Sequence, residues 1–393
     1  MIELVQGIDS FDKVKKLTRE EAEARGLLKW VGQEIDEKYI EAVAAISQNP
    51  ELVKQTSNDF RIIFTPLHGA GNIPVRAALQ AIGFDQVEVV AQQELPDPQF
   101  STVKSPNPEE KEAFTLAIEQ AKATNADIII GTDPDCDRMG AVVKDPNGEY
   151  FVLTGNQSGA IMVHYLLNSL KERGELPSNG VVIKTIVTSE LGAVIARAYG
   201  VSTLDTLTGF KYIGEKMTEF EATGEYEFLF GYEESYGYLA GRYARDKDAV
   251  IASMLICEAA AYYKQQGKTL YDVLQELYVS FGYFLEKLES RTLKGKDGVE
   301  QIGRIMESWR TNPPTEIQGT KVLVMEDYAE GIQGLPKENV LKFKLEDGSW
   351  FCLRPSGTEP KIKFYFAVQG TSGANAEEQM NSLVHYVLAR VDG

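Results

Sequence analysis

Asp133-Pro134-Asp135-Cys136-Asp137-Arg138 sets three carboxylates at i, i+2 and i+4, just after the apolar run Ile128 to Ile130. In an extended or looped backbone alternate side chains turn to one side, so all three can converge on one hard cation. Unpaired carboxylates this close repel one another and raise their own pKa values unless a cation neutralises them, which points to Mg²⁺. The run is not an EF-hand, because Arg138 stands where the sixth position needs glycine and Lys144 where the twelfth needs glutamate. It follows a buried strand, the place where α/β proteins bind ligands.

A second run, Arg354-Pro355-Ser356-Gly357-Thr358-Glu359-Pro360, is followed by Lys361 and Lys363. It joins a guanidinium, two hydroxyls, a permissive glycine and backbone N–H groups that a turn leaves free, which together suit a phosphate dianion. The third is Gly231-Tyr232-Glu233-Glu234-Ser235-Tyr236-Gly237-Tyr238. Its carboxylates and hydroxyl suit vicinal sugar hydroxyls, and its tyrosines suit the apolar face of a sugar. Thr208-Gly209-Phe210-Lys211 and Arg245-Asp246-Lys247-Asp248 each place a lysine in a loop. His68, within Thr65-Pro66-Leu67-His68-Gly69-Ala70-Gly71, reads as part of a structural turn. Gly69-Ala70-Gly71 lacks the third glycine of a dinucleotide fingerprint, since Pro74 occupies that position, and the chain holds no P-loop.

The elements that must position these runs follow from periodicity. Thr18-Arg19-Glu20-Glu21 is a capping box opening a helix, and a second helix runs from about Glu34 to Ser47. Phe60 to Phe64 and Val87 to Ala91 read as strands. Between them Val75, Ala78, Leu79 and Ile82 mark one helix face that Gly83 ends. Asn107 is read as capping a helix with Pro108 at its first position, and Asp145-Pro146-Asn147-Gly148 as a hairpin turn. From Gly155 a helix to about Arg173, a strand Val181 to Lys184, a helix from Ser189 and a strand Phe228 to Phe230 form a second α/β unit. Two units of similar size hint at duplication. Beyond Gly282 come a strand, a helix from Gly298 to Trp309, two or three strands between Lys321 and Val368, and a helix from Ala376 to Val391.

The fold class expected is α/β: two successive α/β domains with mixed sheets plus a smaller C-terminal α+β domain. The bounds are 1–30 for a connector, then 31–154, 155–281 and 282–393. The 393 residues carry a net charge of −18, which repels nucleic acid and anionic membranes, so neither is expected as a partner. The run Ala249 to Cys257 is far short of the roughly 20 residues of a membrane span. Cys136, Cys257 and Cys352 form no CxxC pair, which fits a cytoplasmic chain.

Taken in order, these motifs resemble those of the α-D-phosphohexomutase superfamily over nearly the whole chain. The resemblance implies that Asp133, Asp135 and Asp137 hold Mg²⁺ and that Arg138 stabilises charge on the transferring phosphoryl group. Glu233 and Ser235, with Gly209 and Phe210 of the specificity loop, would bind the sugar. Arg354, Ser356, Gly357 and Thr358, with Lys211 and Lys247, would bind phosphate. The implied reaction interconverts hexose 1-phosphates and hexose 6-phosphates through a phosphoserine, with glucose 1,6-bisphosphate as activator and intermediate. Glu233-Glu234-Ser235-Tyr236-Gly237 resembles the glucose-directed branch; mannose and pentose phosphates are the alternatives. The family's phosphorylated serine lies in a T-A-S-H-N-P loop of a first domain. The three histidines here follow Leu67, Val163 and Val384, so no Ser-His pair exists. The expectation is therefore domains two to four, inactive alone or half of a split enzyme whose first domain acts in trans. A non-catalytic sugar-phosphate binding module is the alternative of another class. A Mg²⁺ phosphatase with an aspartyl nucleophile is disfavoured, because its D-x-D-x-[TV] pattern would need Thr or Val at residue 137.

Overall fold

Four consecutive buried residues, Ile62–Thr65 (β1), form an interior strand of the first sheet. Such a strand is covered by helices on both faces, so its sequence is apolar without alternation. β2 (Val87–Val89) and β3 (Ile128–Thr132) lie parallel on its two sides. An antiparallel hairpin, β4 (Met139–Lys144) and β5 (Tyr150–Val152), completes the order β2-β1-β3-β4-β5. Gly148 closes that hairpin at φ +80°, its N–H donating to the Asp145 carbonyl at 2.9 Å. The helix Asn72–Ile82 buries Val75, Ala78, Leu79 and Ile82, and Gly83 ends it at φ +113°. The computed structural model describes every residue except Met1, Asp9, Lys294, Gln333, Thr358 and Gly393.

The second sheet contains β6 (Gly180–Thr185), β7 (Ser202–Thr206), β8 (Glu227–Tyr232) and β9 (Tyr238–Ala240), ordered β7-β6-β8-β9. β6 is parallel to both neighbours and β9 is antiparallel to β8. This repeats the order and directions of β2-β1-β3-β4, so the hint of duplication has a topological counterpart. The third sheet is wholly antiparallel, in the order β10-β15-β14-β13-β12-β11. Its strands are β10 (Tyr283–Thr292), β11 (Glu316–Ile317), β12 (Thr320–Asp327), β13 (Leu341–Leu345), β14 (Trp350–Pro355) and β15 (Lys361–Gly370). Trp309, from the helix Gly295–Thr311, packs edge-on against Phe343 and Phe351 with ring centres 5.5 Å away. The architecture is the α/β class expected, with two mixed sheets followed by an antiparallel sheet and its helices.

Four local expectations need correction. Asn107 does not cap a helix. Its Oδ1 accepts from the Glu109 N–H at 3.0 Å in a turn, and the helix Thr115–Thr124 begins only after a 3₁₀ turn, Lys111–Phe114. Ser189 likewise precedes its helix, Leu191–Ala198. Phe210 and Lys211 are not in a loop but open a helix, Phe210–Thr223. Four strands, not two or three, occupy the stretch from Thr320 to Gly370. β7 carries no signal in the sequence because this edge strand is mostly polar, Ser-Thr-Leu-Asp-Thr, with neither an apolar run nor alternation.

Contacts divide the chain into two units, Met1–Glu41 and Ala42–Gly393. The first holds the helix Arg19–Ala24 with its capping box as expected: Thr18 Oγ1 accepts from the Glu21 N–H, and Glu21 Oε2 accepts from the Thr18 N–H. None of its described residues is buried. Among the described residues no helix is long and apolar enough to cross a membrane.

Candidate functional site

The acidic run is the turn from β3 into β4. Its carboxylates converge by a tight turn rather than by strand alternation. Asp133 Oδ1 accepts from the N–H groups of Asp137 (3.0 Å) and Arg138 (2.8 Å), and Cys136 sits in the left-handed region at φ +59°. One oxygen each of Asp133, Asp135 and Asp137 then lies within 4.8 Å of the others. Burial, together with the charges of Asp137 and Asp135, pushes Asp133 up to about 7. Three hard oxygen donors in mutual repulsion are the donor set a divalent cation such as Mg²⁺ takes, so the residues fit that ion.

The turn is held from behind by the segment after β1. Ala70 N–H donates to the Pro134 carbonyl at 2.8 Å, and a Cβ on Gly69 would stand 2.4 Å from Pro134 Cα. His68 engages both ring nitrogens, Nδ1 with the Leu95 carbonyl (2.9 Å) and Nε2 with Thr102 Oγ1 (2.7 Å), so it is structural. Gly69→Ala must move backbone against backbone. It is expected to cost about 1–3 kcal/mol in urea melts and to weaken Mg²⁺ binding; unchanged values for both would refute this contact.

The sugar-binding candidate occupies the same place in the second sheet, the turn from β8 into β9. Glu233 N–H donates to the Gly237 carbonyl at 2.9 Å, and Tyr236 at φ +66° corresponds to Cys136. The two turns touch: Arg138 and Gly237 form a β-bridge, and Met139 N–H donates to the Tyr236 carbonyl at 3.0 Å. Glu233 Oε1 accepts from the Gly209 N–H at 2.9 Å, and burial raises its pKa against that bond. Glu234 accepts from Thr185 Oγ1 (3.2 Å) and Thr188 Oγ1 (3.3 Å). Burial and the Glu233 charge push Glu234 up to about 7. A folded-state pKa above the ordinary 4.5 means the folded chain binds more protons than the unfolded one between pH 4.5 and 7. Ionisation in that window therefore opposes folding. Glu234→Gln should gain on the wild type by about 3 kcal/mol as pH rises from 4.5 through 7, and little further above it. Melts at pH 5 and 8 with equal differences would contradict this.

These turns open on a cleft of about 480 Å³. Arg138 and Glu109 line it from the first sheet, Gly209, Phe210, Glu233, Ser235 and Lys247 from the second, and Arg354, Lys363 and Tyr365 from the third. Arg354 and Lys363 are cross-strand partners on β14 and β15, so both face it. Arg354 Nε donates to Glu338 Oε1 at 3.2 Å. Arg138 pairs with Glu109 at 2.7 Å and lies 3.9 Å from Asp133 and 3.8 Å from Asp137. The acidic turn is thus one residue from the cleft that Arg354 enters.

Not every expected residue gathers there. Lys211 is exposed at its helix start, its Nζ over the Tyr212 ring at 4.8 Å. Lys247 lines the cleft but pairs with Asp137 at 2.6 Å; burial works against its charge, and the Asp137 bond outweighs it and raises the pKa. Ser356 and Gly357 do not line the cleft. The Ser356 N–H donates to the Lys361 carbonyl at 2.7 Å and the Glu359 N–H to Ser356 Oγ at 3.2 Å, so those two donors are engaged within the turn. Thr358 lies outside the described residues. Sequence reasoning missed Glu109, Asn156, Glu286 and Tyr365. Only the Arg354 to Lys363 hairpin register carried a readable signal, for Lys363 alone.

Models of one family match in succession: phosphoglucomutase/phosphomannomutase alpha/beta/alpha domain II over residues 37–148, domain III over 154–281 and the C-terminal domain over 294–384. The chain belongs to the phosphoglucomutase/phosphomannomutase family. It is 40% identical to a phosphoglucomutase of Staphylococcus haemolyticus over 84% of this chain and 60% of that one. It is 38% identical to a phosphoglucomutase of Staphylococcus epidermidis over 88% and 63%. The chain therefore spans less than two thirds of the length of these relatives. Among solved structures, Paramecium pp63/parafusin (phosphoglucomutase, open form) aligns with a TM-score of 0.69 at 18% identity, covering 91% of this chain and 62% of that one. A family protein of Burkholderia thailandensis aligns at 0.59 and 16%, covering 91% and 65%. These two likenesses concern the fold.

Proposed function

We propose that this chain forms the metal-binding, sugar-binding and distal-phosphate parts of a phosphoglucomutase-type site that interconverts hexose 1-phosphate and hexose 6-phosphate, glucose favoured. The observation that carries the reading is the shared cleft, where the Arg138 end of the acidic turn, the Glu233 turn and Arg354 meet. Asp133, Asp135 and Asp137 would hold Mg²⁺, which supplies Lewis-acid stabilisation of the transferring phosphoryl group. Arg138, tied to Glu109, presents a fixed guanidinium beside that group. Glu233 is held by Gly209 so that its other oxygen can take sugar hydroxyls, with Ser235 beside it. Arg354 and Lys363 grip the phosphate that does not react, and a bisphosphate that turns over in the cleft would exchange the two ends. Phosphoryl transfer depends mostly on such positioning and electrostatics.

The nucleophile in this reading is a phosphoserine, and these 393 residues contain no Ser-His pair. We therefore take the phosphoserine to be supplied from outside these 393 residues, in the cytoplasm, with glucose 1,6-bisphosphate as activator. A coupled assay of glucose 1-phosphate to glucose 6-phosphate conversion, with Mg²⁺ and the bisphosphate, tests this. The chain alone should turn over little or not at all, and the phosphoserine domain of a phosphoglucomutase added in trans should raise the rate. Full turnover by the chain alone would refute the external serine. Tight sugar-phosphate binding without any complementation would favour a non-catalytic binding module.

A further inference from the structure

Glu286 lines the cleft from the third sheet, and Ser189 lies in the turn after the central parallel strand of the second; neither has been given a role in binding so far. Glu286 is on β10, which pairs with the Tyr365 and Lys363 strand, so it belongs to the phosphate side. Ser189 follows β6 and is 1% exposed, on the sugar side. Ser189 Oγ donates to Glu286 Oε1 at 2.5 Å and accepts from the Leu191 N–H at 3.2 Å, while the Ser189 N–H donates to Asn156 Oδ1 at 3.0 Å. Three residues earlier the Ile186 carbonyl accepts from Lys342 Nζ of β13 at 2.6 Å. The segment 186–189 is thus fastened to the phosphate-side sheet at two points, and Val187 between them lines the cleft along with Asn156 and Glu286.

A hydrogen bond from a hydroxyl to a carboxyl oxygen is short and strong, and it holds its two elements at one separation. The separation matters to a ligand in proportion to how rigidly the ligand joins the two sides. A molecule that touches only Arg354 and Lys363 does not feel it; one that reaches from Arg354 to Glu233 does. We propose that Glu286 is a positioning residue that, through Ser189, sets the spacing of the sugar and phosphate halves of the cleft and so selects a ligand that spans both. This rests on the sugar-phosphate reading above.

Calorimetry on the full chain with two probes, inorganic phosphate and glucose 1-phosphate, tests it. Ser189→Ala and Glu286→Ala should weaken glucose 1-phosphate binding about fivefold while inorganic phosphate stays within about twofold. Glu286→Gln removes the charge but keeps an oxygen that accepts from Ser189, so it should bind glucose 1-phosphate nearly as the wild type does. Should Glu286→Ala fail to fold in a thermal melt, Ser189→Ala, which changes no charge and removes one oxygen, decides the question. Equal weakening of both probes, or of neither, would overturn the positioning role while leaving the site reading intact. A wild-type chain that does not bind glucose 1-phosphate would overturn the reading itself and this inference with it.

Discussion

Arg354→Ala is expected to weaken glucose 1-phosphate binding about 100-fold, the equivalent of ~2–3 kcal/mol for a charge-assisted fork to a phosphate. The guanidinium is the strongest donor on its side of the cleft, and the Glu338 contact orients it without neutralising it fully. Lys363, directly across the hairpin, retains part of the attraction, so binding should fall rather than vanish. Arg354→Lys should recover only part of the loss, because an ammonium is a point charge without the planar pair of donors. Isothermal titration gives the answer; affinity within about threefold of wild type in Arg354→Ala would place the phosphate elsewhere.

The acidic turn offers the second large effect. Asp135 is the exposed member of the trio, and Asp133 rather than Asp135 supplies the oxygen that closes the turn. Asp135→Asn should therefore leave the fold intact while weakening Mg²⁺ binding by roughly 100-fold. In the wild-type chain the affinity is expected to be weaker than micromolar, since a phosphoserine oxygen would be the missing ligand. Lys247 already occupies an Asp137 oxygen at 2.6 Å and competes with the metal. Lys247→Met should accordingly tighten Mg²⁺ a few-fold, a change opposite in sign to that of Asp135→Asn. Calorimetric titration with Mg²⁺ at neutral pH separates these outcomes. An unaltered affinity in Asp135→Asn, or submicromolar binding by the wild type, would count against the assignment.

The chemistry of each turn could be read before any fold was known, because it lies in residues close together along the chain. Three aspartates within five positions, a Glu-Glu-Ser run between glycines, and Arg354 entering a hairpin turn are local facts. So are the buried strands β1 and β3, whose unbroken apolar runs admit few other placements, and the Asn72–Ile82 helix with its four buried positions. Asn107 misled because an Asx turn and a helix cap use the same side-chain oxygen, and only the course of the following backbone tells them apart.

Convergence is another matter. Arg138 meets Gly237 because two sheets with the same strand order carry their turns at equivalent ends. Lys247 lines the cleft while pairing with Asp137, and Glu286 reaches Ser189 across 97 positions of chain. Glu109 gives no local sign that it will hold Arg138. Such pairs are set by how layers pack, and packing energies depend on atoms remote in sequence, so no window along the chain contains them. What a stretch of residues is able to bind is written in its own side chains, whereas which stretches bind together is settled only when burial of the apolar faces fixes their distance.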